Sequence, residues 1–130
     1  MKPTEAINAG RSILDPILVP AGFSFVPGTH GHSSGGNFAQ ASYVNGDRCL
    51  TFSYRFALGL VIYHIGDLSV GHNEYMQFLG KAKDPAYAWF SRESPMAGFE
   101  ALRHDLDLYC QDFLVGSGDT VRQAAAASRS

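Results

Sequence analysis

The sequence predicts an α+β fold: an N-terminal helix, an antiparallel sheet of about four strands in a meander, then a short and a long C-terminal helix packed on one face. Three observations predict it. Residues 37–65 form strand-like runs joined by close turns, with Asn45-Gly46 between two alternating runs. An apolar series at helical spacing, Ile7, Leu14, Ile17 and Leu18, precedes them. A longer one, Phe99, Leu102, Leu106, Tyr109, Cys110 and Phe113, follows.

Taken in order, Thr4 suits the N-cap of the first helix, and Asp15-Pro16 predicts a kink, because proline removes a donor and crowds the preceding turn. Pro20 and Gly22 end the helix, and Phe23 to Val26 reads as a short strand. The glycine-rich run 27–36, which holds His30 and His32, reads as a flexible loop.

Asn45-Gly46 predicts a two-residue hairpin, since a type I′ turn needs positive φ at both central residues. Val44 then faces Asp47, Ala41 faces Leu50 and Ala39 faces Phe52. One face collects Ala39, Ala41, Tyr43, Leu50, Phe52, Tyr54 and Phe56. The wetter face collects Gln40, Ser42, Cys49, Thr51, Ser53 and Arg55. Ala57-Leu58-Gly59 suits the next turn. That register sends Leu60, Ile62 and His64 to the packed face, and Val61, Tyr63 and Ile65 to the wetter one.

Gly66-Asp67 forms a turn, and Leu68 to Val70 is an edge strand or a loop. His72 or Asn73 caps a short helix closed by Gly80. Lys81 to Ser94 reads as irregular, with Tyr87, Trp89 and Phe90 inside the aromatic loop 85–91. Ser94-Pro95 starts the long helix and Gly116 ends it. A single domain over 1–115 is expected, followed by a small-residue tail over 116–130, frayed or partly helical and free to move.

A chain of 130 residues with 45% hydrophobic residues can bury one core. A net charge of −2 provides no basic surface for nucleic acid or an anionic membrane. No apolar run approaches the ~20 residues of a membrane helix. The N-terminal Met-Lys-Pro-Thr-Glu has no apolar signal core, and two cysteines are too few for a disulfide framework. Free thiols and a cytoplasmic location are expected.

The ligand-binding candidates are His64, Asp67, His72 and Glu74, where the last clear strand turns into a helix. Imidazoles beside carboxylates can transfer protons or hold a ligand. The plainer reading makes His64 a core residue and His72 a cap. His30 and His32 lack two further zinc ligands nearby, and the glycine-rich loop lacks a phosphate-binding lysine and a following helix, so no metal and no cofactor is expected. Glu100, His104, Asp105, Asp107 and Asp112 read as a solvated acidic face of the last helix. An interface is expected at Phe38, Val61, Tyr63, Ile65 and Trp89, with a protein partner or a second copy of the chain in a homodimer.

Gly22-Phe23 entering the first strand, Leu58-Gly-Leu-Val-Ile-Tyr-His64 in the sheet and Leu102-Arg-His-Asp105 on the last helix carry a resemblance over most of residues 4–115. The chain resembles small bacterial α+β domains, some of which are similar to immunity proteins of polymorphic toxin systems. A net charge of −2 sets it apart from the strongly acidic immunity proteins that neutralise nucleases. The resemblance implies a non-catalytic binding protein. The alternative from the residues is a small ligand-binding protein or enzyme using the His/Asp/Glu cluster.

Overall fold

The computed structural model describes residues 2–33, 36–81 and 95–129. Its elements are α1 (Pro3–Leu18), β1 (Ser24–Ser33), β2 (Gly36–Asn45), β3 (Arg48–Tyr54), β4 (Leu58–Ile65), β5 (Leu68–Gly71), α2 (His72–Phe78), α3 (Ala97–Tyr109), α4 (Gln111–Leu114) and α5 (Asp119–Arg129). The five strands lie in chain order, each antiparallel to the next. The α+β meander is as expected, with five strands rather than about four. The aromatic loop, including Trp89, lies outside the described residues.

The run read as a glycine-rich loop is largely strand. β1 pairs with β2 from Ser24 to Ser33, with an irregularity between Pro27 and His30. Pro27 has no N–H to give a ladder, which an edge strand tolerates. The bulge and the proline also blunt the one strand edge left on that side of the sheet.

The Asn45-Gly46 hairpin exists, but its loop is Gly46-Asp47 between the paired residues Asn45 and Arg48. Gly46 is the turn residue with positive φ, 61°, at the first central position. Ala41 therefore faces Phe52 and Ala39 faces Tyr54. The pairing moves by two residues, and because side chains alternate with period two, every residue of β2 and β3 keeps its expected face.

The next hairpin does not keep its faces. Its turn is Arg55-Phe56-Ala57, and Tyr54 pairs with Leu58. Beyond it the register shifts: Ser53 pairs with Gly59, yet Thr51 pairs with Ile62. Leu60 and Val61 together oppose Phe52, a β-bulge. The extra residue turns the rest of β4 over. Val61, Tyr63 and Ile65 are buried in the core, while Ile62 and His64 face outward. The bulged register buries a tyrosine in place of a histidine, which is less costly when the hydroxyl finds a partner. Phe56, expected in the core, is in the turn and 53% exposed.

All the described helices lie on the face that carries Tyr43, Leu50, Phe52 and Tyr63. α1 crosses β2 and packs on α3 where Gly10 meets Phe99; a Cβ at Gly10 would come within 2.5 Å of the Phe99 ring. Phe99 in turn stacks on Tyr54 and meets Phe52 edge-on. Tyr43 donates its O–H to Asp15 Oδ1 at 2.6 Å, tying β2 to α1, and burial together with Asp15 pushes the phenol well above its ordinary range.

The expected long helix breaks at Cys110, where φ −112° and ψ 21° leave the helical region. After the break Phe113 packs edge-on against Tyr63 and tilted against Phe23. The expected mobile tail is α5, part of the domain, with Val121, Ala124 and Ala125 buried against the sheet side. Two side chains place it. Arg48 donates to the carbonyls of Asp112, Phe113 and Gly116, closing the end of α4. Asp112 accepts from the backbone N–H of Gly118 and of Thr120, satisfying donors at the start of α5.

Phe52 is 3% exposed at the centre of the packed face. Phe52→Ala is expected to cost ~3–5 kcal/mol in chemical denaturation. Thr51→Ala, on the opposite face, is expected to cost less than about 1 kcal/mol. Equal effects would mean that the two faces are not divided as described.

Candidate functional site

The fold places two chemically distinct groups of residues on opposite sides of the sheet. The inner one is a buried polar chain. Tyr63 reaches it from β4, His72 from the start of α2, Asp105 from α3 and Cys110 from the α3–α4 break. Tyr63 Oη is 2.7 Å from His72 Nδ1 and 3.6 Å from Cys110 Sγ. His72 Nε2 is 2.9 Å from Asp105 Oδ2, and His104 Nδ1 is 3.2 Å from Asp105 Oδ1.

One proton arrangement satisfies every member. His104 and His72 each donate a ring N–H to Asp105. Tyr63 O–H donates to His72 Nδ1, and the Cys110 thiol donates to the Tyr63 oxygen. Burial pushes the Cys110 thiol up to about 12, which keeps the proton on sulfur. The order carboxylate, imidazole, hydroxyl is that of a nucleophile relay. Its geometry is not: Tyr63 and Cys110 are both 0% exposed, so no substrate reaches the hydroxyl or the thiol. The chain instead ties β4, α2 and α3 together with satisfied hydrogen bonds.

The outer group is the sheet face that none of the described helices covers. Phe38, Gln40, Ser42 and Val44 from β2, Cys49, Thr51 and Ser53 from β3, and Ile62 and His64 from β4 lie on it, as the pairing register requires. A depression of about 400 Å³ among Gln40, Ser42, Thr51, Ser53, Ile62 and His64 marks its middle. His64 Nε2 lies 3.2 Å from Thr51 Oγ1. Arg55 sits over the Phe38 ring at 5.8 Å. Burial raises the Cys49 thiol, partly offset by Ser42. A second cleft, of about 560 Å³, opens where β4 and β5 meet the start of α2, lined by Leu60, Ile62, Val70, His72, Glu74 and Ser128 among others.

The four ligand-binding candidates therefore do not converge. His64 is on the outer face. His72 is buried in the inner chain. Asp67 is exposed in the β4–β5 turn, and Glu74 lies on the surface of α2. Only His72 and Glu74 share a cleft. Of the expected interface residues, Phe38 is on the outer face, whereas Val61, Tyr63 and Ile65 are 5%, 0% and 3% exposed and belong to the core. The extra residue at the bulge is the reason. Among the described residues no group of three or more His, Cys, Asp or Glu could hold a metal ion, and no helix is long and apolar enough to cross a membrane.

Asp105, read as part of a solvated acidic face, is 1% exposed. A signal for it is present in the sequence. Asp105 falls three residues after Leu102 and four before Tyr109, inside the apolar stripe. A carboxylate within such a stripe needs buried partners, and two histidines supply them here.

No family model, no curated protein and no solved structure matches this chain. The assignment of function thus rests on the residues and their geometry.

Two measurements check the site. Asp105→Ala leaves the buried ring N–H of His72 without its acceptor, so it is expected to cost ~1–3 kcal/mol, against less than about 1 kcal/mol for exposed Glu100→Ala. For His64, burial lowers the pKa below its ordinary value, so the unfolded chain takes up the proton first as pH falls. Stability is then fully present above the ordinary histidine range and declines as pH drops through and below it. His64→Gln should flatten that decline in urea titrations at stepped pH, and an unchanged slope would show that His64 does not contribute.

Proposed function

We propose that this chain is a non-catalytic binding protein of bacterial type that presents the uncovered face of its sheet to a protein partner, as an immunity-like protein would. One observation carries the reading. Within all five strands Arg48 is the only lysine, arginine, aspartate or glutamate, and it turns to the helix side to hold the end of α4. A sheet face that meets only water ordinarily carries charged side chains; aromatic and aliphatic residues set among small neutral polar ones fit the centre of an interface. The burial of the acid–imidazole–hydroxyl chain supports a role other than catalysis. Free Cys49 and Cys110 accord with a cytoplasmic location.

A second reading has its own support. The cleft of about 560 Å³ has the size of a small-ligand site and places Glu74 beside His72. A thermal-shift screen separates the two: stabilisation by a small molecule that is lost in Glu74→Ala would favour the cleft.

The main reading is tested by affinity capture from a bacterial lysate that also contains an untagged copy of the chain. Wild type is expected to retain a partner in near-equal amount. Ile62→Lys, which puts a charge on the face without touching the core, is expected to lose it while keeping the wild-type circular dichroism spectrum. Retention by both proteins alike, or by neither, would overturn the proposal.

A further inference from the structure

We infer that the occupant of the uncovered face is a second copy of this chain, docked face to face about a two-fold axis. The inference rests on the reading of that face as a binding surface and names its partner.

Charge is the first argument. A two-fold interface sets each patch against itself, so a charged face would bring like charges together, whereas a neutral one does not. The strands place no charge on this face, and Arg55 at its rim lies over Phe38. Apart from Arg55 at the rim, a basic or acidic partner would find no charged strand residue on this face.

Shape is the second. Leu60 is 74% exposed and Phe56 53% exposed at the same end of the sheet. Leu60 also has φ 49°, the one non-glycine residue among those described with positive φ. A bulky side chain in that region is strained, and such strain persists where the surrounding structure demands it. The bulge holds Leu60 out at the edge of the depression of about 400 Å³. A two-fold axis beside that depression lets each leucine enter the other copy's hollow.

Area is the third. Five strands ~4.8 Å apart and about seven residues long span roughly 20 by 23 Å, so a pair of faces offers about 900 Å² in flat projection, and side chains standing off the sheet bring this close to the ~1,000 Å² total at the lower end for a specific interface.

Sedimentation equilibrium at micromolar concentration tests this. Wild type is expected at twice the 14.1 kDa chain mass. Leu60→Gly suits the local backbone, so the fold should be kept or stabilised while the anchor is lost. Both Leu60→Gly and Ile62→Lys should weaken association more than about 30-fold, the loss expected for a central anchor residue. A monomer across the range overturns the dimer. A dimer that both variants leave unchanged overturns it too, because it would form through another surface. If wild type is monomeric yet captures a different protein through Ile62, the binding reading stands and only the second copy falls.

Discussion

The fold turns on a single extra residue in β4. Because side chains alternate across a strand, placing both Leu60 and Val61 opposite Phe52 reverses every position after them. Tyr63 enters the core and meets His72. His64 leaves it and meets Thr51. Without the bulge, Ile62 and His64 would be buried, an imidazole would need a partner among aliphatic residues, and Tyr63 would stand in water. One local irregularity thus decides the composition of both faces.

The inner face then depends on polar groups as well as apolar packing. Asp105, His72 and Tyr63 are each nearly or wholly removed from water, and each has its partner on a different element. Such a chain tolerates few alternative packings, since any slip strands a donor or a carboxylate. Arg48 and Asp112 act similarly at the other end of the helical layer. One closes α4 and the other opens α5, which lets a run of small residues with little apolar surface join the domain.

The outer face has the opposite character. Its polar groups are hydroxyls, an amide, a thiol and an imidazole whose burial favours the neutral form. The described helices all lie on the other side, and the neutrality of this surface separates it from the charged helical exterior. That division into a helix-covered side and a neutral side is what the proposed binding role rests on.

The sequence by itself determined the class and order of elements and the faces of β2 and β3, because these follow from local chemistry: a glycine turn, period-two alternation and helical stripes. It also held a signal for Asp105, a carboxylate within an apolar stripe, which the reading of an acidic solvated face passed over. Tertiary structure alone decided the rest. No residue type announces the bulge at Leu60, since the strain there is held by the burial of Val61, Tyr63 and Ile65 across the sheet. The sequence allowed helix in the small-residue segment of α5, but its place in the domain appears only where Asp112 supplies its first acceptors. His64 and His72 are neighbours in sequence on one short stretch, yet they end on opposite sides of the sheet, because proximity along a chain says nothing of face once the register has shifted.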